Sequence, residues 1–261
     1  MKLIVGNWKM NPKNSLEAEN LFQEIKKEVG SVKNKEIVIC PPFIYLSNLQ
    51  SISTEQVDSL QLGAQNCFWE EKGAFTGEIS PVQLKNLGVK YVILGHSERR
   101  QYLRETDEMI AKKLKAVLEA RLLPILCIGE TKEEREAEKT ADVLRIQLEN
   151  SLQNLSLDIH HLTSLIIAYE PVWAIGSGDF CPPDEALSNF LFIKKQLIKI
   201  FSSFAKSQRI NPAEKIRILY GGSVDSKNAK DYIDIGFDGL LIGGASLRAG
   251  EFIKIVKICA M

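Results

Sequence analysis

Leu165-Ile166-Ile167-Ala168-Tyr169-Glu170-Pro171-Val172-Trp173-Ala174-Ile175-Gly176-Ser177-Gly178 begins as an unbroken apolar run, ends that run on one carboxylate, and breaks at a proline into a loop with an apolar tip and two glycines. An apolar run without alternation is the signature of a parallel strand buried on both faces. Pro171 stops it, and a loop bounded by proline and glycine reads as a lid that moves between hinges. A carboxylate at the buried end of a strand is costly unless it is paired or used. Taken alone, these residues also fit a strand end followed by a turn, so the rest of the chain decides.

Similar runs recur at residues 3–5, 37–40, 62–65, 91–94, 124–128, 218–220 and 239–242, which with 165–169 makes eight. Segments of helical period separate them. Ser15 opens the first, with Leu21, Phe22, Ile25 and Val29 as one stripe, and residues 43–49 form a second. Ser80-Pro81 starts a third, and Thr106 a fourth carrying Met109, Ile110, Leu114, Val117 and Leu118. Thr131-Lys132-Glu133-Glu134 fits a capping box and introduces a long charged helix to about residue 152. Pro182-Pro183-Asp184-Glu185 opens a sixth, to about residue 204, and segments near 227–235 and 245–258 complete the set. Strands alternating with helices define an α/β fold, either a doubly wound sheet or a closed (β/α)8 barrel. Eight repeats in 261 residues favour the barrel, eight parallel strands alternating with eight helices in one domain over residues 1–261.

Composition narrows the functions. Lys and Arg balance Asp and Glu at zero net charge, which gives no footprint for nucleic acid or a membrane surface. No apolar run approaches a membrane span. Five cysteines, an odd number without metal-type spacing, read as reduced thiols in a cytoplasmic compartment. The Asn154-Leu155-Ser156 sequon then reads as a chance match. His160-His161 lack the spacing of metal ligands, no nucleophile motif is present, and Gly176-Ser177-Gly178 has Cys181 where a dinucleotide fingerprint needs its third glycine, so neither metal nor cofactor is expected.

Chemistry in such a barrel collects at the C-terminal ends of the strands. The first run ends in Gly6-Asn7-Trp8-Lys9, where alternation turns Asn7 and Lys9 to the same side. After the fourth comes Gly95-His96-Ser97-Glu98-Arg99-Arg100; a helix start there disfavours imidazolium, so His96 is expected as a neutral hydrogen-bond donor. The sixth delivers Glu170 and the lid. The seventh and eighth end in Tyr220-Gly221-Gly222-Ser223 and Ile242-Gly243-Gly244-Ala245, whose paired glycines let backbone N–H groups approach an anion, with a helix from Gly244 adding its positive end. A base, an electrophile and an ammonium without cofactor suit proton abstraction beside a carbonyl, under a lid that excludes water. The connection from Asn66 to Ile79 is long and carries Phe68, Trp69 and Phe75; it is too aromatic for disorder, and insertion into a second subunit is expected in preference to packing on its own barrel.

The motifs Gly6-Asn7-Trp8-Lys9-Met10-Asn11, Gly95 through Arg100, Cys127-Ile128-Gly129-Glu130, Ala168 through Gly176, Tyr220 through Val224 and Gly239 through Leu247 closely resemble, in order and over essentially the whole chain, those of the triosephosphate isomerase family. The resemblance implies interconversion of dihydroxyacetone phosphate and D-glyceraldehyde 3-phosphate in glycolysis and gluconeogenesis. It implies Glu170 as base, His96 as electrophile, Lys9 as stabilising charge, Asn7 as a further polar contact, and the N–H groups of Gly176, Ser223, Gly243 and Gly244 as the phosphate grip. Ser97, Glu98, Cys127 and Glu130 match supporting positions. Trp69, Phe75, Thr76 and Gly77 match the loop that reaches a neighbouring subunit, implying a homodimer. Another phosphate-binding barrel would account for the last two loops but not for Asn7-Trp8-Lys9 or His96-Ser97-Glu98. A barrel kept only for binding would not need Glu170, His96 and Lys9 together. The sequence departs from the family at Ser177, where threonine is usual, and at Asp179-Phe180-Cys181-Pro182, which puts the C-terminal hinge of the lid in question.

Overall fold

A computed structural model describes residues 1–30, 32, 35–53, 60–152, 155, 159–176 and 178–259; Ser177 and the sequon residues Asn154 and Ser156 lie outside them. Eight strands, β1 (Lys2–Asn7), β2 (Lys35–Cys40), β3 (Leu60–Ala64), β4 (Tyr91–Leu94), β5 (Leu123–Ile128), β6 (Ile166–Tyr169), β7 (Arg217–Tyr220) and β8 (Gly239–Ile242), form a closed barrel in sequence order. Every pairing is parallel, and β8 closes on β1 with Val5 opposite Leu241. The barrel expected from the apolar runs is the fold observed.

Two apolar clusters explain why the runs do not alternate. Leu3 and Val5, Val38 and Cys40, Tyr91 and Ile93, Ile125 and Cys127, Ile166 and Ala168, with Leu219 and Leu241, make one cluster. The intervening Ile4, Ile37, Ile39, Val92, Leu126, Ile167 and Ile218 join the helical side chains Phe22, Ile25, Leu114 and Ile193 in the other. One set fills the barrel and the other glues the helices to it, so both faces of each strand need apolar residues. At the N-terminal ends of the strands, Glu36 accepts hydrogen bonds from Tyr91 Oη and Arg217 Nη1, joining β2, β4 and β7 across the barrel.

The described residues contain thirteen α-helices: α1 (Ser15–Val29), α2 (Phe43–Ser53), α3 (Pro81–Asn86), α4 (Ser97–Leu103), α5 (Asp107–Glu119), α6 (Lys132–Glu136), α7 (Thr140–Leu152), α8 (Ile159–Ser164), α9 (Pro183–Ile200), α10 (Ser202–Gln208), α11 (Pro212–Lys215), α12 (Ala229–Asp234) and α13 (Ala249–Ile258). The capping boxes at Ser80 and Thr131 both form. The long helix expected after Thr131 is instead two, because Glu138 takes a left-handed φ of 56° between α6 and α7. Likewise α9 stops at Ile200 and α10 follows. Helices α4, α8 and α11 are too short to show an apolar stripe, and α8 carries His160 and His161. All five cysteines are free and buried. Among the described residues, no helix is long and apolar enough to cross a membrane, and no group of His, Cys, Asp and Glu is arranged to hold a metal ion.

Candidate active site

The inward alternation of the strands continues past their ends. Leu3 and Val5 lead to Asn7, Ile166 and Ala168 to Glu170, Leu219 to Gly221, and Leu241 to Gly243, so these positions reach the mouth by parity alone. His96 does not. After Tyr91 and Ile93, alternation would turn it to the outer face, but Gly95 has φ 69° and breaks the sequence of turns. A left-handed glycine thus returns the imidazole to the mouth, where it caps α4. Lys9 also arrives by another route than expected. Strand β1 ends at Asn7, and Lys9 adopts φ 53° while its N–H donates to Asn7 Oδ1 at 3.0 Å. Gln65 Nε2 fixes its carbonyl at 2.8 Å.

Asn7, Lys9, His96, Glu170, Gly176, Ser223, Gly243 and Gly244 all line one cavity of about 500 Å3. Glu170 is 1% exposed. Its Oε2 accepts the Ser97 N–H at 3.0 Å. Its Oε1 stands 3.2 Å from His96 Nε2, yet the two do not align as a hydrogen bond and Oε1 has no other partner among the described residues. His96 Nδ1 accepts the Glu98 N–H at 3.3 Å, which assigns the ring hydrogen to Nε2, on the side of Glu170. Glu98 Oε1 in turn pairs with Lys9 Nζ at 2.5 Å, while its Oε2 is 3.7 Å from Nδ1, too far for a hydrogen bond. Cys127 lies against Glu170; burial first, and that carboxylate second, push its thiol well above the ordinary range, so it stays protonated.

The glycine loops leave the opposite wall bare. A Cβ on Gly243 would meet Lys9 Cε at 3.2 Å, so a side chain there would press on the lysine beside this loop. The helix expected to start at Gly244 is a single 3-10 turn, Gly244–Leu247, tightened by Ser246 donating from N and Oγ to Gly243 O at 2.9 and 2.6 Å; α13 begins only at Ala249. The cavity is lined there by Gly243, Gly244 and Ala245 of one short turn, without the dipole of a long helix. Asn228 Nδ2 holds the Ser223 carbonyl at 3.3 Å.

The lid leaves β6 through Pro171 and one 3-10 turn, Val172–Ala174, with Gly176 and Gly178 at φ 71° and 85°. Glu130 anchors its first hinge, accepting from Trp173 Nε1 at 2.7 Å and from Tyr169 Oη at 3.2 Å. Burial holds the Glu130 carboxyl above the ordinary carboxylate range, against the pull of those donors. Outside the lid, Arg135 stacks on the Trp173 ring at 4.0 Å and grips Glu185 with two bonds of 2.8 Å. The unusual second hinge is anchored at Cys181, whose N–H donates to Tyr220 Oη at 3.3 Å and whose carbonyl accepts from Tyr232 Oη at 2.8 Å. Sequence reasoning missed these tyrosines, which look like ordinary core residues, and missed Arg135, whose partner Glu185 is distant in the chain, and Arg100, which reaches from α4 to Cys127 on β5.

Trp69, Phe75, Thr76 and Gly77 stand apart from the cavity. Phe68 stacks on Trp69 at 4.0 Å and packs on Phe75 at 4.7 Å, while Phe68 N–H to Ile79 O, 2.8 Å, closes the base of the loop. Phe75 remains 43% exposed.

A closed (β/α)8 barrel whose mouth brings together a buried carboxylate, an imidazole, an ammonium and two glycine loops is an enzyme of the acid–base class. The family model described as triosephosphate isomerase matches residues 2–259. A triosephosphate isomerase of Alkaliphilus oremlandii (strain OhILAs) is 45% identical over 256 residues, covering 98% of each chain. That of Endomicrobium trichonymphae is 46% identical over 256 residues, covering 98% of this chain and 97% of its own. The crystal structure of triosephosphate isomerase from Bartonella henselae superposes with a TM-score of 0.84 at 36% identity, covering 98% of both chains. The chain belongs to the triosephosphate isomerase family.

Proposed function

We propose that Glu170 carries the proton in the interconversion of dihydroxyacetone phosphate and D-glyceraldehyde 3-phosphate, the isomerase reaction of this chain in glycolysis and gluconeogenesis. Glu170 removes a proton from C1 of the ketose, the C–H electrons form the C1–C2 double bond, and the carbonyl electrons move onto O2. His96 Nε2–H and the Lys9 ammonium stabilise the enediolate oxygens, with Asn7 as a further polar contact. A proton passes between the two oxygens, and Glu170 returns its proton at C2. The N–H groups of Gly176, Ser223, Gly243 and Gly244 hold the phosphate, and the lid excludes water so that the intermediate keeps it. Ser97, Glu98, Cys127 and Glu130 support these groups.

The observation that carries the assignment is Glu170 Oε1, buried without a hydrogen bond in the cavity that also holds Lys9 and both glycine loops. We further propose that the chain works in the cytoplasm as one domain and a homodimer, with Trp69, Phe75, Thr76 and Gly77 reaching the second subunit. The test is the interconversion of the two triose phosphates by purified protein in both directions. Turnover in both supports the reading, and folded dimer without turnover overturns it.

A further inference from the structure

We propose that Arg100 is a positioning residue for this reaction: its guanidinium joins the ends of β4 and β5 and thereby fixes His96 and Cys127 against Glu170. The inference rests on the roles given above to Glu170 and His96. Arg100 points inward from α4, its side chain only 18% exposed. Nε donates to Gly95 O at 2.8 Å, Nη2 to Cys127 O at 3.2 Å, and Nη1 to Asp107 Oδ1 at 2.6 Å. Asp107, the first residue of α5, also accepts from Asn150 of α7, 3.3 Å from Oδ2. The fork is therefore held on one side by the helical layer and grips two strand ends with the other.

Both gripped carbonyls lie next to the chemistry. Gly95 directly precedes His96, and its left-handed conformation is what turns the imidazole into the mouth. Glycine is also the least restrained residue in the chain, so a fixed carbonyl at Gly95 fixes the peptide plane from which His96 hangs. Cys127 is the residue whose thiol lies against Glu170. The fit is close on this side, since a Cβ on Gly95 would come 2.8 Å from Ile110 Cδ1 and 3.1 Å from Arg100 Nη2. Three divergent acceptors match the planar donor fork of arginine, and an ammonium on a flexible stem cannot reach them together.

The experiment compares the full-length parent, Arg100→Lys and Asp107→Asn by steady-state kinetics and by 15N NMR of labelled histidine, which is tractable with three histidines in the chain. Arg100→Lys keeps the charge beside Asp107 and loses the fork. Its kcat should fall by about 10²-fold, the scale of an ångström of misplacement, with KM nearly unchanged and the His96 ring resonances displaced. Asp107→Asn leaves both carbonyl bonds in place and should keep kcat near the parent value. A parental kcat in Arg100→Lys overturns the proposal, and so does a low kcat with unmoved His96 resonances, which places the loss somewhere other than the imidazole. The parent alone gives a further check that needs no variant: its Arg100 Nε–H should be protected from solvent exchange, and an unprotected signal contradicts the clamp. Glu170→Gln is run alongside. Normal turnover there removes the reading on which this rests, whereas a dead Glu170→Gln beside a fully active Arg100→Lys removes only the role of Arg100.

Discussion

Glu170 Oε1 lies 3.2 Å from His96 Nε2, and no hydrogen bond joins them. The other carboxylate oxygen is held by the Ser97 N–H at 3.0 Å. A buried carboxylate satisfied on both oxygens would have to break a bond before taking a proton from carbon; here one oxygen anchors the group and the other has no hydrogen bond to break, which suits the base proposed above. The imidazole keeps its Nε2–H for a third partner between them.

On the roles proposed above, Lys9 serves two charges at once, the enediolate and the phosphate: its Nζ pairs with Glu98 beside His96 and its stem lies against the loop at Gly243. Lys9→Ala should therefore raise KM and lower kcat together, the latter by about 10²–10³-fold, as for loss of a donor to a developing oxyanion. Steady-state kinetics check this, and an unchanged kcat contradicts it.

Gly129 follows the inward parity of β5, and a Cβ there would fall 1.6 Å from the carbonyl oxygen of Glu170. Gln147 grips the same residue, accepting its N–H at 2.8 Å and donating to its carbonyl at 3.2 Å, so the backbone has little room to yield. Gly129→Ala must displace the Glu170 main chain. We expect a lower Tm and a kcat reduced by about 10²-fold; a variant with both values at the parent level would show that the base tolerates the shift.

Glu130 gives a pH-dependent prediction. Burial raises its carboxyl above the ordinary carboxylate range, while the bonds from Trp173 and Tyr169 act to lower it. The folded chain therefore keeps this proton at pH values where the unfolded chain has lost it, so the group favours folding most below the unfolded pKa and less as pH rises through the folded one. Trp173→Phe removes a donor to the ionised form and should steepen that decline. Urea unfolding should show a loss of about 1.5–3 kcal/mol at neutral pH, the scale of a hydrogen bond to a charged group, and a smaller loss near pH 4. Equal losses at both pH values would contradict the sign.

Trp69 stiffens its loop through the 4.0 Å stack with Phe68. Trp69→Ala removes an aromatic pair worth about 0.5–1.5 kcal/mol beyond its buried area, and should raise the monomer fraction. Sedimentation across a dilution series measures it, and a dimer unchanged on dilution would count against the loop as an interface.

Much of the site was legible because polar and glycine residues follow the apolar runs, and parity continuing beyond a strand is why they reach the mouth. Counting in twos from the buried runs brings Asn7, Glu170, Gly221 and Gly243 to the mouth without knowledge of any contact. His96 was legible from its place after the fourth run, but its direction depends on Gly95, whose left-handed φ a residue name permits without requiring. The break at Glu138 was hidden for the same reason: charged residues on both sides keep helical period while one backbone angle ends the helix. A helix was expected from Gly244 because the helical segment 245–258 follows it, yet Ser246 folds back on Gly243 and tightens the turn. Tyr220 and Tyr232 act on the backbone of Cys181, far away in sequence, and Arg100 joins the nearby Gly95 carbonyl to that of Cys127 on the next strand; no local pattern records such partners.

The central claim is that Glu170 moves the substrate proton, and its most direct test follows dihydroxyacetone phosphate in 2H2O by proton NMR. The parent should place deuterium at C2 of the aldose product, because the proton on Glu170 exchanges with solvent before it is returned. Glu170→Gln should lose both labelling and turnover by about 10²–10⁴-fold, the range for a general base, while still binding a phosphate-bearing inhibitor. A Glu170→Gln variant that labels and converts the substrate at the parent rate would contradict the account.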